Sequence, residues 1–237
     1  MLRAAGACVT GPFHQAQGSE GQDALHLRGW RGGWIAAVAD GLGSRTRSAT
    51  GARLAVQAAQ MVARGWPAGT WRDIPAREAA TDIYRRWLAT VPWSDKGSAA
   101  TTLLLLVCDA DGNARTWQLG DGLVLLRTQD QVRSLTPSRT GFGNQTQALG
   151  VDRSWSAWHT ADFALQAPGD IVLLMTDGVA DDLVPQALDG FVSAMHRQLT
   201  RLSRRRGRHW LEHELTHWAT PLHGDDKTLI AVFKDKR

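Results

Sequence analysis

The chain has 237 residues, with 27 Lys and Arg against 23 Asp and Glu, and therefore a formal net charge of +4. This length favours a single domain over residues 1–237, with two small domains as the alternative. Hydrophobic residues make up 43% of the chain and charged residues 21%, a globular composition that argues against disorder. The longest apolar run, residues 103–108, is far shorter than the roughly 18 residues of a membrane span, so we expect no membrane-spanning helix.

The amino-terminal residues and the cysteines favour a cytoplasmic location. Residues 1–8 contain one basic residue and no sustained apolar core, and a Gly-Pro pair follows, so we expect no secretory signal. Cys8 and Cys108 are too few for a disulfide framework or, alone, for a structural zinc site. We expect both to be buried as small hydrophobic residues.

The first half of the chain predicts one strand and two helices. The apolar residues 34–39 end in an Asp-Gly pair, which is typical of a buried strand that enters a tight turn. Residues 49–64 are rich in Ala and carry apolar residues at helical spacing, and they predict a helix. Residues 73–91 predict a second helix, which Pro92 ends.

The second half predicts mainly strands. The expected strands are residues 100–108, 114–119, 123–127, 155–163, 171–176 and 227–233, and the expected helices are residues 185–201 and 207–219. Turns at 109–113 and 120–122 are too short for a parallel crossover, so the strands that they join are predicted to be antiparallel. Helices that flank such strands indicate the α+β class.

Four aspartates occupy similar places beside a glycine at a strand end: Asp40, Asp121, Asp177 and Asp225. Any one of them is explained by turn formation, since Asp-Gly is a common turn pair. Together at one sheet edge, however, two carboxylates 4 Å apart would repel by roughly 4 kcal/mol at an effective dielectric near 20. Such a cluster needs protons or cations, and oxygen ligands without a His or Cys pattern favour Mg²⁺ or Mn²⁺. Paired divalent cations suit phosphoryl hydrolysis.

Seven short motifs resemble those of the metal-dependent protein phosphatases of the protein phosphatase 2C type, in their compact bacterial form. They are residues 11–18 with 22–24, 38–43 with 48–52, 99–103, 120–122, 147–150, 176–178 and 225–228. Each motif is a weak signal alone, but their order and spacing are specific. The resemblance implies a four-layer α-β-β-α sandwich of two antiparallel sheets flanked by helices, with a binuclear Mn²⁺ or Mg²⁺ centre at one end.

The resemblance also implies roles for single residues. Asp40 would bridge both ions, Gly41 would bind one through its carbonyl, Asp177 and Asp225 would hold the other, Asp121 with Asp177 would offer a weaker third site, and Asp23 would act through coordinated waters. The implied reaction is hydrolysis of phosphoserine or phosphothreonine by metal-activated water, without a phosphoenzyme. A phosphorylated protein would be the substrate, and a cognate Ser/Thr kinase the expected partner.

The chain departs from the family pattern at three positions. Gly18 stands where eukaryotic members have a phosphate-clamping Arg, and Leu42 stands where they have a general-acid His. Gln22 replaces a Glu of many members, which we interpret as neutral for activity. Phosphate binding then falls to the metals and to His14, which we retain as a candidate catalytic residue because imidazole titrates near pH 7.

The basic run, three histidines, three further aspartates and one loop remain to be interpreted. The basic run 201–208 is either a solvated helix end and loop or a docking site for an acidic or phosphorylated partner. His209, His213 and His217 share a helix face without a zinc-site pattern, so we expect them on the surface. Asp181, Asp182 and Asp226 are expected in turns or facing solvent. Residues 136–150 are the expected mobile flap.

Three hypotheses follow, from different functional classes. The first is a monomeric Mn²⁺- or Mg²⁺-dependent Ser/Thr phosphatase that binds neither nucleic acid nor membrane. The second, motivated by Gly18, is a phosphatase-like binding module that recognises a kinase or its phosphorylated substrate with little turnover. The third is a metal-dependent nuclease, which would bind DNA with a steep dependence on salt.

Overall fold

The structure, a computed structural model, describes residues 1–67, 69–137, 146–218, 220 and 223–236. Its strands are β1 Leu2–Val9, β2 Asp23–Trp30, β3 Gly33–Asp40, β4 Leu103–Cys108, β5 Asn113–Leu119, β6 Leu123–Thr128, β7 Gln131–Ser134, β8 His159–Ala164, β9 Ile171–Met175 and β10 Lys227–Lys234. Its α-helices are α1 Pro12–Ala16, α2 Ser48–Gly65, α3 Ala76–Thr90, α4 Asp177–Ala180, α5 Leu188–Arg201 and α6 Arg204–Thr216.

The strands form two five-stranded antiparallel sheets. One sheet has the order β1-β10-β9-β6-β7 and the other the order β2-β3-β4-β5-β8. Helices α2 and α3 pack on the outer face of the second sheet, and α5 and α6 pack on that of the first. The α+β class and the sandwich of two antiparallel sheets flanked by helices are confirmed.

Three apolar layers explain why β4 and β9 are apolar at every position. Successive side chains of a strand point to opposite faces. In β4, Leu103 and Leu105 therefore pack under α2 and α3, whereas Leu104 and Leu106 pack between the two sheets. Because both faces of the strand are covered, the period-two alternation of a half-exposed strand is absent.

The tryptophans account for much of the layer beneath α2 and α3. Six of the 11 tryptophans are buried there: Trp30, Trp66, Trp71, Trp87, Trp117 and Trp158. The rings of Trp66 and Trp71 stack with centroids 6.5 Å apart, and Trp66 lies 5.3 Å from Trp117. The buried indole of Trp87 donates a 3.1 Å hydrogen bond to the carbonyl of Gly51, so its polar atom is satisfied.

The turn at residues 120–122 differs from its prediction. It does not close an antiparallel hairpin, because β5 belongs to one sheet and β6 to the other. The prediction was wrong because a short turn limits the distance between two strand ends without forcing the strands to pair. This connection instead carries Asp121 across the edge of the sandwich.

Other element boundaries also differ. The sequence did not predict β1, β2 or β7. Strand β1 is rich in Ala and Gly, and its extended conformation depends on pairing with β10 along its whole length. Residues 155–157 form a 3₁₀ turn before β8 rather than strand. Helix α6 begins at Arg204, after an N-cap in which Ser203 Oγ accepts from the Arg206 amide, so much of the basic run is helical rather than loop.

Three further expectations concern the cysteines, membrane-spanning helices and the flap. Cys108 is buried as predicted, but Cys8 is exposed. None of the helices in the described ranges is long and apolar enough to cross a membrane. Of the expected flap 136–150, residues 138–145 lie outside the described residues. Its described ends are held, since Thr136 Oγ1 donates to Gln118 and the Leu149 amide donates to Thr101.

Helix α2 approaches residues 96–99 so closely at Gly51 that a Cβ there would lie 1.9 Å from the carbonyl oxygen of Ala99. We predict that Gly51→Ala lowers the free energy of unfolding by about 1–3 kcal/mol, as overpacking does. At Gly65 of the same helix a Cβ would have no atom within 4 Å beyond its chain neighbours and the backbone of its own helix, and Gly65→Ala should be neutral or stabilise by up to about 1 kcal/mol. Urea unfolding of both variants tests this. Equal effects would contradict the close packing.

Candidate active site

A cavity of about 710 Å³ opens where several strand ends meet. Its lining includes Phe13, His14, Gln22, Asp40, Gly41, Leu42, Asp121, Thr146, Asp177, His223 and Asp225. Five of the predicted site residues besides His14 therefore share one cavity. Asp23 does not line it and lies behind Asp40, its cross-strand partner in β2 and β3.

The backbone of Asp40 is held by two threonines at the start of β4. Thr102 Oγ1 accepts a 2.9 Å hydrogen bond from the Asp40 amide. The Asp40 carbonyl accepts from Thr101 Oγ1 and from the Thr102 amide, each at 2.8 Å. Both polar groups of the main chain are thus satisfied, and the carboxylate is fixed at the end of β3.

Asp177 and Asp225 are neighbours because Gly178 allows two segments to touch. A Cβ at residue 178 would lie 1.9 Å from the carbonyl oxygen of Asp226, so a larger residue would separate the segments. Asp177 Oδ1 accepts from the Gly178 amide and Asp225 Oδ1 from the Asp226 amide, each at 2.8 Å. Each carboxylate keeps its second oxygen for another partner.

The electrostatics of the cluster are unfavourable for ionised carboxylates. Burial raises the pKa of Asp40 well above its usual range, and the nearby charges of Asp23, Asp177 and Asp225 raise it further. Burial raises the pKa of Asp177 to about 6, with added repulsion from Asp121 and Asp225. Both shifts favour the protonated carboxyl over the carboxylate unless cations balance the charge.

Asp23 and Asp121 complete the cluster from two sides. Asp23 Oδ2 accepts from Thr176 Oγ1 at 2.8 Å and from Thr228 Oγ1 at 2.7 Å. Burial nevertheless raises the pKa of Asp23 to about 7, because these two hydrogen bonds only partly oppose it. Asp121 Oδ2 accepts a 2.8 Å hydrogen bond from Thr146 Oγ1 at the other side of the cavity.

The expectation that Asp226 serves a turn or faces solvent is wrong. Asp226 is 2% exposed. Its Oδ1 accepts from the Gly11 amide at 2.7 Å and its Oδ2 accepts from the Gln22 amide. Oδ1 also lies 3.0 Å from Nδ1 of His14. Because two amides already donate to this carboxylate, we assign Nδ1 as the third donor, and Nε2 of His14 is then the ring nitrogen available to the cavity.

A second pair of the same kind was missed. Nδ1 of His223 lies 2.6 Å from Oδ1 of Asp182, and His223 also lines the cavity. Asp182 was expected in a turn or in solvent, but its side chain is only 5% exposed. The one available signal was the position of His223, two residues before Asp225. Nothing in the spacing indicated Asp182 as its partner, since 41 residues separate the two.

Other expected features are not part of the cavity wall. Gly18 does not line the cavity, and in the described ranges neither does any Arg or Lys, so His14 and His223 are its basic side chains. His209, His213 and His217 are exposed on and just after α6, as predicted, and His209 lies 3.1 Å from Glu212.

The donor set fits hard divalent cations. It consists of carboxylate oxygens with the carbonyl of Gly41 nearby and no cysteine, and such oxygen-rich sites suit Mg²⁺ or Mn²⁺. A different group of possible ligands consists of His14, Asp225 and Asp226, whose ligand atoms lie within 4.8 Å of one another. In that group Asp226 already accepts from the two amides and from His14, which leaves Asp225 as the member more open to a cation.

The raised pKa values predict how cations affect stability. In the unfolded chain these carboxyls ionise near pH 4, whereas the folded, ion-free protein keeps protons on Asp23 and Asp177 up to about pH 6–7. The stability of the ion-free protein should therefore fall as the pH rises from about 4 to 7. Because a cation must displace these protons, the increase in Tm with Mn²⁺ should be larger at pH 7.5 than at pH 5.5.

Differential scanning fluorimetry at both pH values, with and without Mn²⁺, checks this. Asp40→Asn should lose most of the increase in Tm, whereas the exposed Asp189→Asn should keep it. An increase in Tm that is equal at both pH values, or that survives Asp40→Asn, would contradict the assignment of a cation to this cluster.

Comparison with known proteins agrees with this geometry. Residues 10–216 match the family model described as "Protein phosphatase 2C". No curated protein matches the sequence. Among solved structures, the serine/threonine phosphatase PstP/Ppp of Mycobacterium tuberculosis shares 17% identity over 99% of both chains, with a TM-score of 0.65. PppA, a regulatory component of T6SS in Pseudomonas aeruginosa, shares 18% identity over 98% of this chain and 97% of its own, with a TM-score of 0.64.

The catalytic domain of PstP has also been solved in complex with two manganese ions, and it is 18% identical to this chain over 98% of it and 97% of that domain, with a TM-score of 0.65. Because the sequence identities are this low, the structural similarity is evidence for the fold alone. The family model covers most of the chain in sequence, with the Asp40, Asp121 and Asp177 motifs inside the matched residues. The chain belongs to the protein phosphatase 2C family.

Proposed function

We propose that this protein is a serine/threonine phosphoprotein phosphatase that depends on Mn²⁺ or Mg²⁺. The observation that carries the proposal is the convergence of Asp40, Asp121, Asp177 and Asp225 on one open cavity, where burial and mutual repulsion raise the pKa values of Asp40 and Asp177. A cluster with so unfavourable a charge is explained if its function is to hold cations.

In this proposal two cations are held by Asp40, Gly41, Asp177 and Asp225, and a weaker third one by Asp121 with Asp177. When bound, the ions supply a Lewis acid that activates water at neutral pH and offsets the charge of the phosphate. Asp23 orients the site from behind through its neighbour Asp40, held in turn by the hydroxyls of Thr176 and Thr228.

His14 is the proposed general acid. The buried Asp226 receives Nδ1–H of the ring and fixes its orientation, so that Nε2–H faces the substrate side. In the reaction this proton would pass to the leaving seryl or threonyl oxygen as the P–O bond breaks, and the ring would become neutral. His223, held by Asp182, is a second basic group that would bind phosphate oxygens in a cavity whose described wall holds no Arg or Lys.

A phosphorylated protein is the proposed substrate, and a Ser/Thr kinase is the proposed opposing enzyme. The cavity is open, and the ring of Phe13 on its wall is 61% exposed, which suits contact with the side chains of a bound peptide. A single domain, a monomer and a cytoplasmic location complete the proposal. The names of PstP and PppA, a phosphatase and a regulatory component, agree with a signalling role.

Removal of a metal-binding carboxylate should abolish activity. We predict that Asp40→Asn and Asp177→Asn each lower kcat/KM for a phosphothreonine peptide more than roughly 100-fold, since even the loss of an outer-shell partner costs 10–100-fold at metal sites. Asp189→Asn, on the exposed surface of α5, should retain full activity. Phosphate release with Mn²⁺ is the measurement, and full turnover by either site variant would refute the proposal.

A second candidate function is a phosphatase-like binding module, because the described cavity wall contains no Arg or Lys to bind the phosphate during turnover. Hydrolysis of p-nitrophenyl phosphate by the wild-type protein, with and without Mn²⁺, separates the two functions. Metal-stimulated hydrolysis would exclude the binding module. Retained binding of a phosphopeptide without hydrolysis would favour it.

The role of His14 can be tested by comparing two substrates whose leaving groups differ in their need for a proton. Nitrophenolate leaves without protonation, whereas a seryl oxygen needs a proton. We therefore predict that His14→Gln lowers kcat for a phosphoserine peptide about 100-fold, within the usual range for general acids, but changes kcat for p-nitrophenyl phosphate only a few-fold. His209→Gln, which alters an exposed histidine of α6, is the matched control. Equal losses on both substrates would rule out proton donation.

A further inference from the structure

A second groove, of about 830 Å³, runs beside β1 and β2, which are end strands of the two sheets. Residues 5–8 of β1 and 23–27 of β2 line it in unbroken succession. Successive side chains of a strand point to opposite faces of the sheet, so a groove on one face would contact only every second residue. A groove that contacts every residue in succession therefore lies along the edge of the strand. Both strands are the last of their sheets, so no other strand pairs with one edge of each. Residues 5–7 of β1 are buried beside α6, whereas most of residues 23–27 of β2 are partly exposed, so β2 has the accessible edge.

The walls of this groove carry more basic than acidic side chains. Helix α2 contributes Arg53, and α6 contributes Arg204, Arg205 and Arg208, against only two acids, Asp23 and Glu212. We call these four arginines and the two strand edges the arginine groove. Arg53 pairs with Glu20 at 2.8 Å and Arg208 pairs with Glu212 at 2.7 Å.

Other polar groups of the arginine groove are left without partners in the described structure. Arg205 is exposed and has no hydrogen bond or ion pair with a described residue. Nε2 of His26, in the wall of the same groove, is buried without a hydrogen-bond partner. A buried ring nitrogen of this kind needs a partner, and the exposed guanidinium of Arg205 is available to pair with an anionic ligand.

The position of these arginines in α6 is unfavourable for the helix itself. Arg204, Arg205 and Arg206 occupy its first turn, which contains no acidic residue. The amino terminus of a helix carries a partial positive charge that disfavours cations and attracts anions. Helix formation therefore does not account for the three arginines, whereas an anionic ligand would interact favourably with the arginines and the helix dipole together.

We propose that the arginine groove docks an extended, acidic segment of a protein partner. Carboxylates or phosphates of the segment pair with the arginines, and its backbone lies along the edge of β2, as in other cases of strand addition. A peptide fits better than a nucleic acid, because peptide backbone matches a strand edge and because no Phe, Tyr or Trp on which bases could stack is among the described residues that line the groove.

The groove is also placed to serve the cavity. One end of its wall is Asp23, the residue paired with Asp40 across β2 and β3. A segment docked in the groove would therefore end beside the carboxylate cluster. The docking itself does not require catalysis, so it can be measured by binding alone.

Fluorescence anisotropy of a fluorescein-labelled poly-Glu peptide tests the proposal. We expect binding that weakens with salt, and an increase in Kd of about fivefold or more in Arg205→Glu, corresponding to the loss of one exposed ion pair and the addition of a repulsion. Arg206→Glu is a matched control, because it makes the same charge change in the same helical turn but lies outside the groove, and it should alter Kd much less. Neither variant should lower Tm, since an acidic residue is favourable in a first turn.

Arg205→Glu should also leave hydrolysis of p-nitrophenyl phosphate unchanged, so failure of docking and failure of the proposed catalysis can be distinguished. Equal losses of affinity in the two variants would show nonspecific charge attraction and overturn the proposal. No binding of the peptide at low salt, or tighter binding of a labelled oligo-dT than of the peptide, would overturn it as well.

Discussion

The repulsion among the aspartates at the strand ends is the constraint on which the rest of this structure depends. Asp40 and Asp177 cannot move apart to relieve it, because the hydrogen bonds of Thr101 and Thr102 hold one and the contact at Gly178 holds the other. Protons or cations must balance the charge. Burial of the three apolar layers stabilises the sandwich and offsets the unfavourable free energy of holding these carboxylates together.

The sandwich carries two surfaces of opposite charge. The ends of its strands gather carboxylates around a cavity, and its open side edges gather arginines along a groove. The net charge of +4 is therefore an average that hides this separation. In the proposed function the acidic cavity becomes attractive to phosphate once cations are bound, whereas the basic groove attracts an acidic segment without them.

Local patterns were sufficient for the features that depend on few residues. Asp40 and Asp177 each follow an apolar strand and precede a glycine, and this pattern is enough to predict the strand end, although Asp177 begins the short helix α4 rather than a turn. The long helices α2 and α5 were predicted nearly to their ends. Strand β1 was not, because its Ala and Gly residues have little strand preference of their own and become a strand by pairing with β10.

By itself the sequence determined the α+β class, most of the elements and the aspartates that share a cavity, because each of these is encoded by periodicity or by motifs of a few adjacent residues. Only the tertiary structure decided that Asp226 and Asp182 are buried partners of His14 and His223, and that β1 and β2 leave a basic groove between α2 and α6. These contacts join residues far apart in the chain, and the free energy of burying a carboxylate beside a histidine depends on surroundings that no local pattern contains.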